Sequence, residues 1–168
     1  NIYLQQLNLK TNSFDESTSA FLDLIASTAM SKSYKMPVLK AFYQDDTFHF
    51  ELSTEQLLSS WKEFYSINKN YQDLTGVQTY EDYINMSDHK HLRNILSNPV
   101  NFLIQSSNGA FIKGENGPIA IGSNIKITDE FIQEYIDIIE YRTLEYYKKK
   151  YPEEWKQVEV EKNAVSNI

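Results

Sequence analysis

Four of the five glycines in this chain fall between Gly109 and Gly122. Glycine is the residue that lets a backbone enter the left-handed region or come close to another strand without a side chain in the way. A chain that concentrates it in one stretch therefore makes its tightest reversals there. Asn108-Gly109 reads as a turn. Residues 110–113 and 119–122 read as strand-like runs around Gly114-Glu115-Asn116-Gly117-Pro118, which together make a hairpin. Elsewhere reversals depend on helix caps, prolines and acidic turns, so most of the remaining chain is expected to be helical.

The caps can be read in order. Ser13-Phe14-Asp15-Glu16 has the capping-box pattern and predicts a helix from Phe14 to near Met30, with Phe14, Phe21, Leu22, Ile25 and Met30 on its apolar side. Pro37 suits a first helical turn, so a short helix over 34–43 is expected behind Val38, Leu39, Phe42 and Tyr43. Asp45-Asp46 signals a turn, and the alternation after it puts Phe48, Phe50 and Leu52 on one face of a strand over 47–52. Ser53-Thr54-Glu55-Gln56 repeats the capping box and opens a helix to about Ile67, with Leu57, Leu58, Trp61, Phe64 and Tyr65 turned inward. Residues 68–86 read as a loop with one helical turn. Ser87 caps the next helix, whose apolar residues include Leu92, Ile95, Leu96, Val100, Phe102, Leu103 and Ile104, and Pro99 should kink or split it. Thr128 caps a long last helix, with Asp129 and Glu130 in its first turn and Lys148-Lys149-Lys150 near its end, both favourable to the helix dipole. Pro152 marks its stop, and 158–168 reads as a tail.

The expected class is α+β, mostly α. Residues 34–122, within a unit spanning 31–127, give the order helix, strand, helix, helix, hairpin, which is that of a winged helix. An N-terminal helix and the long helix over 128–151 flank it. In a helix-turn-helix the second helix enters the DNA groove, here the one beginning near Asp88, and the hairpin is the wing.

A length of 168 residues with 41% hydrophobic and 14% aromatic content is enough for one domain with a substantial core despite a net charge of −7. The chain has no cysteine, which suits a reducing compartment, and neither a secretory signal nor an apolar run long enough to span a membrane is legible. A cytoplasmic location without membrane contact is expected. The sequence opens at Asn1, and the expectation is a piece of a longer protein.

Catalytic signatures are missing. The G-x-x-x-x-G-K-S/T phosphate loop and the G-x-S-x-G turn do not occur. His89 and His91 are two apart, where metal-binding helices use i, i+4 spacing, and read as surface histidines. His49 reads as solvent-facing and without a partner. Pairs such as Glu130 and Glu134 read as a solvated helix face. No catalytic residue, metal or cofactor is assigned to this chain.

Two binding readings remain. Residues 31–127 hold nine Lys or Arg against ten Asp or Glu, so the acidity lies mainly elsewhere. Lys32, Lys35, Lys40, Lys90, Arg93 and Lys113 are candidate phosphate contacts and Asn94 a candidate base contact. Alternatively, Tyr135, Tyr141, Tyr146, Tyr147 and Tyr151 exceed what one core stripe needs and would suit a protein-docking surface.

Three stretches carry a resemblance: Lys32-Ser33-Tyr34-Lys35-Met36-Pro37-Val38-Leu39-Lys40-Ala41-Phe42; Asn98-Pro99-Val100-Asn101-Phe102-Leu103 before the hairpin; and Ile138-Ile139-Glu140-Tyr141-Arg142 with Tyr146-Tyr147-Lys148-Lys149. They resemble a C-terminal region of bacterial superfamily II helicases of the DEAD/DEAH type. Some of these also carry a phospholipase-D-like nuclease domain and look like restriction or defence proteins. The resemblance implies a parent whose motor uses ATP and Mg, with this chain as a non-catalytic accessory domain that contacts DNA or the parent's other domains. The motor motifs themselves do not occur in this chain.

Overall fold

The computed structural model describes residues 14–154. Ser13 and the expected tail at 158–168 lie outside the described residues. The architecture is mostly helical with two small antiparallel sheets.

Helix α1 spans Glu16–Ser27. Its N-cap is Asp15, whose carboxylate accepts the Thr18 amide hydrogen at 2.8 Å. The helix starts two residues later and stops earlier than the sequence suggests, because the Thr28 amide already closes on the Leu24 carbonyl. Helix α2, Lys35–Ala41, holds Pro37 in its first turn, where a missing N–H costs no hydrogen bond. It is shorter than 34–43, since Tyr43–Gln44 forms strand β1 and pairs with β2, Thr47–Phe48. Asp45 and Asp46 both have left-handed φ, 54° and 57°, which is the geometry of a two-residue hairpin turn.

The single strand expected over 47–52 is instead two. β2 serves the first hairpin, and β3, Glu51–Leu52, pairs with β5, Ile119–Ile121, which also pairs with β4, Phe111–Ile112. The spatial order is β3-β5-β4. Leu52, Phe111, Ile119 and Ile121 fill its inner face, whereas Glu51, Ala120 and Ile112 share the outer one. Phe48 and Leu52 are buried, but Phe50 sits at the break between β2 and β3 and is 48% exposed.

Helix α3, Thr54–Ser66, has the full capping box between Ser53 and Gln56. The connection after it is more ordered than a loop with one turn, comprising a 3-10 turn at Asn70–Asp73 and helix α4, Tyr80–Ile84, the latter capped by Thr79 and Asp82. Helix α5, Asp88–Ile95, is capped by Ser87. It passes through one π turn at Leu96–Val100, carrying Pro99, into α6, Asn101–Ser106. Inserting one residue relieves the clash a proline ring makes with the preceding turn, so the helix is split without being broken.

Helix α7, Asp129–Lys150, is capped by Thr128 and backs onto α1 and α2. Tyr135, fully buried, donates its hydroxyl to the Leu39 carbonyl at 2.5 Å, and Arg142 donates to the Ile25 carbonyl at 3.0 Å. Glu130 is exposed as expected, but Glu134 is buried, so only one of that pair lies on a solvated face. Buried residues from Phe21 in α1 to Ile139 in α7 form one hydrophobic cluster.

Candidate nucleic-acid interface

Helix α5 is set against α3 by two bonds of different character. The Trp61 indole N–H donates to Nδ1 of His91 at 3.1 Å, both side chains being buried, and at the rim Lys62 meets Asp88 at 2.8 Å. Tyr83 closes the contact by donating its hydroxyl to the Lys62 carbonyl at 2.7 Å and standing edge-on to the His91 ring. His91 is thus a core residue and not one of a surface pair, whereas His89 is exposed. His49 is half-buried and has a partner too, its Nε2 lying 3.2 Å from the Gln44 carbonyl.

With His91 and Ile95 turned inward, the opposite side of α5 presents Lys90 and Arg93, with Asn94 half-exposed beside them. The row continues through Asn98 and Phe102, each four residues on and each exposed. Phe102, expected among the packing residues of this helix, is 49% exposed. No acidic residue occurs from His89 to Gly114 in a chain that holds 23 Asp and Glu. The one acid at the helix start, Asp88, is already engaged by Lys62. Along this stretch the charged side chains are therefore all basic, despite the chain's net charge of −7.

The hairpin next to α6 is braced from behind. Glu51 accepts the amide hydrogens of Glu115 at 2.8 Å and Asn116 at 3.1 Å, one on each carboxylate oxygen. Gly117 passes so close to Leu52 that a Cβ there would collide with the Leu52 carbonyl, and Gly122 stands in the same relation to Gly109. Lys113, exposed after β4, is thereby carried on a fixed loop. Ser107 ties the hairpin to α6, accepting the Phe111 amide hydrogen at 2.9 Å.

The structure divides the seven candidate residues. Lys90, Arg93 and Asn94 lie on α5, Lys113 follows β4 in the hairpin, and Lys40 is exposed on α2 with its ammonium 5.8 Å from the centre of the Phe64 ring. Lys32 and Lys35 are half-buried and donate to neighbouring groups of the fold. Lys32 donates to the Asp73 carbonyl and to Thr75 Oγ1, both at 3.1 Å. Lys35 donates to the Ala29 carbonyl at 2.6 Å and to Thr28 Oγ1 at 3.0 Å, and burial, with the Arg142 charge nearby, lowers its pKa.

Lys32 leads to a junction that no local pattern announces. Asp73 is fully buried. Its Oδ2 accepts the Ser33 amide and hydroxyl hydrogens, each at 2.7 Å. Its Oδ1 accepts from Tyr146 at 2.6 Å, Lys150 at 2.8 Å and Tyr151 at 3.0 Å. A carboxylate offers about four acceptor positions, so five donors saturate it and leave no room for a ligand. Burial alone would raise its pKa, but the hydrogen bonds from Lys150, Tyr146 and Ser33 outweigh that and hold it below the ordinary value. Tyr147 joins through the Ser33 hydroxyl at 2.9 Å and the Asn70 carbonyl at 3.2 Å. Of the five tyrosines of the docking reading, Tyr135, Tyr146, Tyr147 and Tyr151 thus commit their hydroxyls to the interior, and Tyr141 is half-buried.

Among the described residues, no group of three or more His, Asp or Glu is placed to hold a metal ion, and no helix is long and apolar enough to cross a membrane. No family model, curated protein or solved structure matches the chain.

Proposed function

We propose that this chain is a non-catalytic DNA-contacting domain in which α5 lies along the nucleic acid and the β4–β5 hairpin acts as a wing. The observation that carries the reading is the acid-free run from His89 to Gly114, in which Lys90, Arg93 and Lys113 are all exposed. The sheet order β3-β5-β4, with α3 and α5 inserted between β3 and the hairpin, supports a winged-helix arrangement. The 67–87 connection is longer than the turn of a tight helix-turn-helix, and the Trp61–His91 bond supplies the interhelical restraint that a short turn would otherwise give.

Lys90, Arg93 and Lys113 are assigned to phosphates and Asn94 to a base edge. Lys40 is a more distant phosphate contact. The likeness of the 32–42, 98–103 and 138–149 stretches to helicase C-terminal regions supports placing the domain in a larger ATP-driven translocase, where it would guide the strand and the motor would supply the chemistry.

A salt series of DNA association by fluorescence anisotropy tests this. Contacts from Lys90, Arg93 and Lys113 give a log-log slope of about −2.7, which Lys40 would steepen toward about −3.6, and each lost cation should flatten it by about one unit. Lys90→Ala, Arg93→Ala and Lys113→Ala should each show that change. If the wild-type chain shows no salt-sensitive association with DNA even at low ionic strength, the reading falls.

A further inference from the structure

We propose that Phe102 is a base-stacking residue and that the nucleic acid this domain holds carries unpaired bases where it crosses α6; this rests on the DNA-contacting reading above and specifies its substrate. Two phenylalanines are exposed by about half, and they differ in kind. Phe50 stands edge-on to Phe48 at 5.7 Å between ring centres, so it remains part of an aromatic contact. Phe102 has no ring contact with any described aromatic residue, and about half of its surface is open to solvent. An isolated exposed apolar side chain is ordinary on a protein surface. Its setting is what distinguishes this one.

Phe102 continues the row of Lys90, Asn94 and Asn98, with Ser106 exposed one turn further on. Beside it Gln105 donates to Asn101 at 3.2 Å, keeping a polar flank to the ring. The stretch from His89 to Gly114 therefore offers cations for a phosphate backbone, amides for base edges and one exposed aromatic ring, with no Asp or Glu among its own residues. That combination is what binding of single-stranded nucleic acid uses: a positive track, and side chains on which bases stack. A paired base has both faces covered by its neighbours, and exposing one costs a few kcal/mol. An unpaired base reaches the ring without that cost.

Stacking is worth about 1–3 kcal/mol per base, which corresponds to about 5- to 150-fold in affinity. Phe102→Ala should therefore weaken binding of a labelled oligothymidylate by that factor and leave binding of a blunt duplex of the same length nearly unchanged. The salt slope should not move, because no charge is removed. Phe102→Trp should bind the oligothymidylate at least as tightly as the wild type. Thermal melts should show Phe102→Ala still folded at the temperature of the binding assay, which separates loss of stacking from loss of structure. If Phe102→Ala binds the oligothymidylate as well as the wild type while Lys90→Ala still flattens the slope, the stacking role is overturned and the DNA-contacting reading survives. If the wild type binds neither probe, both fall together.

Discussion

The Trp61 indole N–H and Nδ1 of His91 are 3.1 Å apart with no solvent on either side, so His91 accepts on Nδ1 and carries its own hydrogen on Nε2. A protonated ring would turn a second donor toward the indole. Burial lowers the His91 pKa, Lys62 and Lys90 push in the same direction, and Asp88 opposes them.

Stability should therefore depend on pH in a defined window. The unfolded chain takes up a proton on this histidine near pH 6.5, while the folded chain resists until a lower pH. The contribution of His91 is fully present above about pH 6.5 and is lost as pH falls through the folded-state value. Urea unfolding between neutral and mildly acid pH should show the midpoint declining below about 6.5, and His91→Gln should flatten that decline. At neutral pH, Trp61→Phe leaves a buried acceptor without its donor and should cost about 1–3 kcal/mol, in addition to any packing loss.

Asp73 should be among the least tolerant positions in the chain. Asp73→Ala leaves the Ser33, Tyr146 and Tyr151 donors unsatisfied, and a loss of about 3 kcal/mol or more is expected from equilibrium unfolding. Lys150→Ala should cost under about 1 kcal/mol, because the Lys150 side chain is 39% exposed and its attraction is screened by water. Equal losses for the two variants would show that the ion pair, and not the saturated carboxylate, holds the junction.

Lys32 and Lys35 should separate stability from binding. Both donate to backbone carbonyls within the fold, so Lys32→Ala and Lys35→Ala should each lower stability by about 1 kcal/mol while leaving the salt slope of DNA association unchanged. A flatter slope for either variant would return that lysine to the interface.

Gly117 and Gly122 should refuse alanine. A Cβ at either position runs into a carbonyl of a neighbouring segment, Leu52 or Gly109, and only a backbone shift relieves it, so Gly117→Ala should cost about 2 kcal/mol or more in thermal or urea unfolding. Gly76 has a left-handed φ of 81° with open space around it, and Gly76→Asn should be nearly neutral because asparagine tolerates that region.

What could be read from the sequence was whatever depends on near neighbours. The caps at Ser53, Ser87 and Thr128, the split at Pro99 and the 110–122 hairpin are set by residues a few places apart, and the structure has them. The alternation at Phe48, Phe50 and Leu52 was misleading because β2 and β3 answer to different partners, one local and one in the distant hairpin. Asp73 could not be read, since its donors lie 40 to 78 positions away in the chain. His91 looked like half of a surface pair because only the partner helix, through Trp61, decides which way it points. The acid-free stretch beginning at His89 was legible all along but was hidden under a net charge of −7.

The junction at Asp73 also decides how the domain bears tension. Tyr146, Lys150 and Tyr151, on the last turn of α7 and just past it, all fasten to one oxygen of one carboxylate, whose other oxygen is fastened to Ser33 ahead of α2. A pull on the end of α7 is thus passed directly to the start of α2. The three attachments share that load, so the end of α7 is held by side-chain bonds to Asp73 as well as by its own last turn.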